Sequence, residues 1–429
     1  MVRETAGDPR RGTPLRGEIT PAGNKNEALP CIAAALLTDE PVTLRNVPRI
    51  RDVRNMLEIA SALGAQIEDL DPHTVRITAK ELKNDELPAA LAKEIRPSLV
   101  FAAPLLARRK RARLGQPGGD VIGRRRVDSH FLALGELGAT LDTSHGFTVT
   151  TDGLRGADVI LDEASVTATE NVLLAASVAK GRTVLRHAAS EPHVQQLAKL
   201  LIAMGAKIAG IGTNMLTIDG VERMRGTDHT LLGDHMEIGS LIATAAMTHG
   251  EVTIKNVVPD HLRMTRLVFG RLGIDTEIRG NDVFVPARER YEIESDIGGA
   301  VPEVKPNIWP GFPTDLTSMA IAYATQAHGV VIVHEWMYDG RLFWVDTFTR
   351  EMGARIILAD PYRVIVLGPS ELRPAEVRSP DIRAGMALLA ATLCAKGKSV
   401  INNIEQIDRG YEALDERLRK LGAKIERAA

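Results

Sequence analysis

The sequence predicts an α/β protein of two domains, each holding three copies of one βαβαβ-type unit, with sheets outside and the most apolar helices buried inside. Three observations predict it. A hydrophobic helix ending in a Leu-Gly-Ala-like step recurs six times, at Leu63-Gly64-Ala65, Leu137-Gly138-Ala139, Met204-Gly205-Ala206, Leu272-Gly273-Ile274, Met352-Gly353-Ala354 and Leu421-Gly422-Ala423. The spacing is roughly 70 residues, readable as stacked supersecondary units. Five of the six are preceded by a short strand-like phrase, at 41–46, 182–187, 251–256, 330–334 and 399–403. Each repeat also carries a helix that is apolar nearly all round, at 27–37, 98–107, 170–179, 238–248, 316–325 and 384–395.

A helix without a polar face must be covered on every side, so these six belong inside. The second helix of each repeat is amphipathic; at 53–63, Val53, Met56, Leu57, Ile59 and Ala60 share one side. The glycine falls one residue past the last periodic position, where a left-handed C-cap requires it. Short alternating segments such as Gln66-Ile67-Glu68 and Lys424-Ile425-Glu426 follow as strands. The seam between three-repeat domains falls around 225–233. One domain is expected over 22–233 and the other over 1–21 plus 234–429, with the strand at 15–20 pairing in the C-terminal half. Two crossings of this kind invite hinge closure over a ligand.

A chain of 429 residues exceeds one ordinary core. An apolar content of 44% and a charged content of 25% are those of a soluble globular protein. A net charge of −2 supplies no drive towards nucleic acid or an anionic membrane, and neither is expected as a partner. Cys31 and Cys394 lie in apolar helical runs and read as buried thiols, without a disulfide framework. Residues 1–14 lack the apolar core of a secretory signal, and the apolar helices are too short to cross a bilayer. A cytoplasmic protein is expected. The basic run 108–113 has no interleaved aromatics and reads as a solvated loop. The glycine spacing at 118–123 does not match a dinucleotide fingerprint, and His334-Glu335 lacks the second histidine of a metalloprotease helix. No cluster has metal-ligand spacing, so neither metal nor cofactor is expected.

Chemistry is expected where the helices begin, because helix N-termini carry free N–H groups and partial positive charge. Arg, Lys and Asp concentrate there, in Gly23-Asn24-Lys25-Asn26, Ile95-Arg96-Pro97-Ser98, Ser165-Val166-Thr167, Phe312-Pro313-Thr314-Asp315, Asp339-Gly340-Arg341, Pro380-Asp381-Ile382-Arg383 and Asp408-Arg409-Gly410. Arginine suits bidentate anion binding, so the pattern points to a substrate with more than one phosphate or carboxylate.

Four motifs then occur in order on the repeat: 23–30 (Gly-Asn-Lys-Asn-Glu-Ala-Leu-Pro), 117–123 (Pro-Gly-Gly-Asp-Val-Ile-Gly), Phe312-Pro313-Thr314-Asp315 and Ile407-Asp408-Arg409-Gly410-Tyr411. With them the chain resembles the enolpyruvyl transferases, on their sugar-nucleotide branch, over residues 15–427. The resemblance implies two inside-out α/β domains. It also implies transfer of the enolpyruvyl group of phosphoenolpyruvate to the 3-hydroxyl of UDP-N-acetylglucosamine, with release of phosphate, for peptidoglycan synthesis. By the same resemblance, Lys25, Arg125 and Arg409 would hold the phosphoenolpyruvate anion, with Arg341 and Arg383 nearby and Asp381 beside them. Asn26, Arg96, Arg126, Val127, Asp128, Ser129, Glu163, Ala164, Ser165, Val166 and Met337 would line the sugar-nucleotide site. Asp315 would be the base for the acceptor hydroxyl. Asp120 stands where most relatives carry a cysteine that acts as general acid and is the residue alkylated by fosfomycin. Protonating the terminal carbon of an enol ether and accepting a hydroxyl proton are tasks for one carboxylic acid and one carboxylate.

The chain departs from the family pattern at several places. Arg126 replaces a usual proline, Ser129 a leucine, Glu163 a lysine facing the diphosphate, Thr167 a glycine, His235 an arginine and Gly340 an asparagine. A lysine exchanged for a glutamate weakens diphosphate binding by Coulomb repulsion unless Arg126 compensates. These changes motivate a reading with a different nucleotide acceptor. The missing thiol motivates a silent ligand-binding paralogue, against which the retained Lys25, Arg125, Asp315 and Arg409 argue. An enolpyruvylshikimate-phosphate synthase is disfavoured, because the long Gly-Gly-Asp loop belongs to the sugar-nucleotide branch.

Overall fold

The computed structural model describes residues 12–119, 122–144 and 146–428. It holds two compact units. The first comprises Gly23–Gly119 and Arg125–Leu232, and the second the described parts of Met1–Ala22, Asp120–Arg124 and Gly233–Ala429. Each has its own hydrophobic core.

The apolar helices are interior. In the first unit they are Lys25–Ala34, Ala102–Arg109 and Val166–Ala176; in the second they are His235–Met247, Thr317–Ala324 and Ile382–Cys394. Every residue of His235–Met247 is buried, and each Leu or Ile so covered contributes about 1.5–3 kcal/mol. The amphipathic helices lie outside them. Trp344–Met352 shows the pattern, burying Trp344, Val345, Phe348 and Met352 and exposing the rest of its surface in varying degree. All six helix-ending glycines, Gly64, Gly138, Gly205, Gly273, Gly353 and Gly422, have φ between 76 and 116°. The left-handed turn is what the glycine supplies, because a Cβ is disfavoured there. The strand phrases end the same way: Asn46, His187, Asn256 and Asn403 have φ of 56, 59, 54 and 60°.

Four sheets share one four-stranded pattern. In one, Thr227–Thr230 runs parallel to Val42–Arg45, which pairs antiparallel with Thr74–Thr78, itself paired antiparallel with Gln66–Asp71. Each such unit therefore closes on a hairpin, one strand more than the alternation in the sequence indicates. Residues 424–426 form only a single bridge residue, Ile425, and the last sheet keeps two strands, Glu376–Arg378 and Val400–Asn402. The basic run 108–113 is not a loop. Arg108 lies in the last turn of an inner helix and donates to the carbonyls of Leu36, Thr38, Ala79 and Lys80, while Arg111–Leu114 is a strand. These carbonyls at helix and strand ends need donors, which is a structural use for an arginine.

Arg16–Ile19 pairs in parallel with Glu251–Ile254 inside the second unit, as Thr227–Thr230 pairs with Val42–Arg45 inside the first. Two buried carboxyls fix these strands at their ends. In the first unit, Asn24 N donates to Leu232 O at 2.8 Å and Leu232 N donates to Glu27 Oε2 at 3.2 Å. In the second, Asp234 N donates to Ala22 O at 2.9 Å and Ala22 N donates to Glu237 Oε2 at 3.0 Å. The same motif thus sets the first residue of each helix, Lys25 in one unit and His235 in the other.

Candidate active site

In the first unit polar contacts gather at the helix starts. Asn24 caps the helix Lys25–Ala34 by accepting from Glu27 N at 3.2 Å. Lys25, next in the chain, is 8% exposed and pairs with Asp52 at 2.7 Å. Asp52 lies in the first turn of the outer helix Arg51–Leu63, whose Arg51 and Asn55 both donate to Glu94. Two residues on, Arg96 donates to the carbonyls of Arg125 and Arg126, fixing the backbone before the helix Asp128–Glu136. Asn26, Val127 and Ala164 are partly exposed beside these starts.

Three departures from the family pattern meet in this unit. Arg126 pairs with Asp162 at 2.8 Å and with Asp128 at 3.5 Å. The Ser129 hydroxyl lies 2.7 Å from Asp162 Oδ1 and 3.2 Å from Glu163 Oε1 and shares its single proton between them. Its hydrogen bond, followed by the nearby guanidinium, holds the Asp162 carboxyl below its ordinary range. One guanidinium therefore stands among three carboxylates, Asp128, Asp162 and Glu163, and the compensation by Arg126 runs through Asp162. Thr167 is also accounted for. Asn171 donates to His130 Nδ1 at 2.8 Å, which leaves Nε2–H to donate to Thr167 Oγ1 at 2.9 Å. Burial, helped by the charge on Arg96, pushes His130 down to about 3, so the ring is neutral. Ser165 caps the helix that Val166 opens, accepting from Ala168 N.

The second unit gathers its own set. Asp315 sits in the turn Thr314–Leu316 and is held through both oxygens: Arg341 donates to Oδ1 and Arg383 to Oδ2, each at 3.0 Å. The two guanidiniums are 3% and 4% exposed, whereas the Asp315 side chain is 28% exposed. Burial works against the charge on both arginines, and neighbouring carboxylates led by Asp315 outweigh it, so both stay firmly cationic. Arg341 Nε is buried and finds no acceptor among the described residues. Arg383 also donates to the Tyr411 hydroxyl at 3.1 Å, and Asp381 caps the helix Ile382–Cys394 through Arg383 N and Ala384 N. Arg409, 8% exposed, donates to Gln406 Oε1 at 3.1 Å. His235 is pushed down to about 3, chiefly by burial and then by His261 and Arg383.

The loop motif 117–123 is described at both ends, and Asp120 lies outside the described residues. Residues 122–124 pack on 339–340: Gly340 N donates to Ile122 O at 3.0 Å and Arg124 N to Asp339 Oδ1 at 3.2 Å. A Cβ on Gly340 would lie 2.7 Å from Gly123 N, and one on Gly123 only 1.6 Å from Asp339 Oδ1. Glycine in place of the family's usual asparagine at 340 is what permits this approach.

The protein-family model described as EPSP synthase (3-phosphoshikimate 1-carboxyvinyltransferase) matches residues 9–418, nearly the whole chain. The chain belongs to this family of enolpyruvyl transferases. Within the family it is 50% identical over 415 residues, 97% of each chain, to the UDP-N-acetylglucosamine 1-carboxyvinyltransferase of Treponema denticola. To the protein of the same name from Bradyrhizobium diazoefficiens it is 51% identical over 416 residues, 97% of this chain and 96% of the relative. Among solved structures, the enolpyruvyl transferase NikO from Streptomyces tendae superposes with a TM-score of 0.85 at 25% identity, covering 97% of both chains. EPSP synthase from Acinetobacter baumannii superposes with a TM-score of 0.74 at 16% identity, a likeness of fold.

Three residues that hold this enolpyruvyl transferase's candidate site together escape a reading of the sequence. Asp52 and Asp162 are acids near helix starts, where capping is the ordinary use. Glu335 follows a strand, and nothing near it in sequence marks its link to the turn at Thr314. Their partners Lys25, Arg126 and Thr314 are 27, 36 and 21 residues away in the chain, so only the fold brings them together.

Proposed function

We propose that the protein transfers the enolpyruvyl group of phosphoenolpyruvate to the 3-hydroxyl of UDP-N-acetylglucosamine, releasing phosphate, in the first committed step of peptidoglycan synthesis. The observation that carries this is identity of about half over nearly the full length to several proteins named for that reaction. The residues present suit the chemistry. Asp315, ionised between two guanidiniums and partly open, accepts the proton of the acceptor hydroxyl as its oxygen attacks C2 of the enolpyruvyl group. Asp120, by the family resemblance, delivers the proton to C3, so that positive charge develops at C2 as the new C–O bond forms. Return of a proton from the resulting methyl group to the Asp120 carboxylate then expels phosphate and restores the double bond. Lys25, Arg125 and Arg409 hold the donor's phosphate and carboxylate, with Arg341 and Arg383 in support; cations already set in place need no reorganisation as charge moves. Asn26, Arg96, Arg126, Val127, Asp128, Ser129, Glu163, Ala164, Ser165, Val166 and Met337 serve the nucleotide, and Asp381 orients Arg383. The same reading takes the two domains as 22–233 and 1–21 plus 234–429. It places the enzyme in the cytoplasm, a compartment that suits the unpaired Cys31 and Cys394. No described helix is long and apolar enough to cross a membrane.

Lys25→Ala and Arg409→Ala test the anion assignment. Each is expected to lower phosphate release by roughly 10²-fold or more, the usual loss on removing a charge that meets a phosphate, with the circular dichroism spectrum unchanged. Near-normal turnover in both would remove these residues from the site.

A further inference from the structure

Glu335 is fully buried, at 0% exposure inside the second unit, and among the described residues its carboxylate accepts four hydrogen bonds, from two short segments. Oε2 accepts from the Thr314 hydroxyl at 2.7 Å and the Thr317 hydroxyl at 3.0 Å. Oε1 accepts from Met337 N at 3.0 Å and Tyr338 N at 3.3 Å. Thr314 and Thr317 bracket Asp315, and Tyr338 starts the turn closed by Arg341 N donating to Tyr338 O at 3.2 Å. Asp315 and Arg341 are the two ends of one ion pair. We infer that Glu335 is a positioning residue for the transfer reaction: one buried carboxylate fixes, from behind, the turn that presents Asp315 and the turn that presents Arg341.

The physical reason is that a buried carboxylate without donors is very costly, so the fold keeps all four bonds together or loses them together. Neither turn can shift by an ångström without stretching a bond to the same group. Misplacement of that size is enough to cost roughly 10²-fold in rate. The carboxylate is 0% exposed and its oxygens are occupied, so its influence passes through Asp315 and Arg341 rather than through a bound substrate. Glutamine in its place keeps the arrangement: its oxygen accepts from the two backbone N–H groups, and its amide donates to the two threonine hydroxyls, which accept equally well.

This inference rests on the reading of Asp315 as the base, and the test separates the two. Phosphate release is measured with phosphoenolpyruvate and UDP-N-acetylglucosamine for Glu335→Ala, Glu335→Gln, Thr314→Val and Asp315→Asn. Glu335→Ala is expected to lower kcat by roughly 10²-fold with both KM values within about threefold of the parent. Glu335→Gln should stay within about fivefold of the parent, since it restores the four bonds. Thr314→Val, which removes one donor and is the decisive variant where Glu335→Ala does not fold, should lower kcat by about tenfold at unchanged KM. Parental kcat in Glu335→Ala or Thr314→Val, with Asp315→Asn inactive, overturns the positioning role alone. Glu335→Gln as impaired as Glu335→Ala also overturns it, pointing to charge instead of geometry. Full turnover in Asp315→Asn overturns the reading of Asp315 itself.

Discussion

Asp120 stands at a position where the family resemblance leads one to expect a cysteine. A thiolate opens an epoxide readily; a carboxylate does so far more slowly, and a carboxylic acid more slowly still. Neither cysteine can take over. Cys31 is buried, with its thiol raised well above the usual range by burial, and Cys394 is pushed up to about 12 for the same reason. The parent enzyme is therefore expected to keep its activity during prolonged incubation with fosfomycin, and Asp120→Cys to lose activity with time and gain one covalent adduct by mass spectrometry. A time-dependent loss in the parent, with a mass shift on residues 118–123, would contradict the role given to Asp120. At this scale the sequence was informative wherever a charged residue begins a helix, because the helix start itself explains why the charge is there. It was silent about the contacts of Asp52, Asp162 and Glu335 with Lys25, Arg126 and Thr314, which other elements supply. It was also silent about the way Ser129 and Arg126 converge on Asp162 while Glu163 shares the Ser129 hydroxyl: in sequence they are separate oddities, in space a single cluster.

At the scale of the element, the repeated step is where sequence and geometry agree most closely, since a helix-ending glycine has one conformational purpose. The cost of removing it differs from copy to copy. At Gly273, with φ of 98°, an added Cβ would lie 2.6 Å from Glu292 O and 2.9 Å from Glu292 N. At Gly205, with φ of 111°, nothing lies within 4 Å. Gly205→Ala is thus expected to cost about 1–2 kcal/mol, the left-handed penalty alone, and Gly273→Ala measurably more, because backbone must also move. Urea unfolding of the two variants checks this, and equal costs would mean that the close approach at Gly273 relaxes freely. The closing hairpins were harder to read. The strand at Gln66–Asp71 shows in the sequence, whereas its partner Thr74–Thr78 is only five residues long and follows after a two-residue turn, so the pair reads as one segment. Arg108 shows the opposite failure: in a run of basic residues it looks solvated, yet it satisfies four backbone carbonyls.

For the whole molecule, the sixfold repeat explains why chemistry collects at helix starts in both units. Each copy brings an inner helix whose N-terminus needs a cap and tolerates a charge, and the copies have diverged into Lys25, Arg96 and Ser165 in one unit and His235, Asp315 and Arg383 in the other. The all-apolar helices made this architecture readable from sequence, because a helix with no polar face has nowhere to go but inside. The acceptor is less directly written, since Glu163, in place of the family's lysine and close to Asp162 and Asp128, makes the expected diphosphate region more acidic than the family pattern. The most direct measurement is therefore phosphate release from phosphoenolpyruvate with each acceptor offered alone: UDP-N-acetylglucosamine, other nucleotides, and shikimate 3-phosphate. The account predicts release that depends on UDP-N-acetylglucosamine, one phosphate for each enolpyruvyl ether found on that nucleotide by mass spectrometry. No release with UDP-N-acetylglucosamine, or release only with another acceptor, would contradict it.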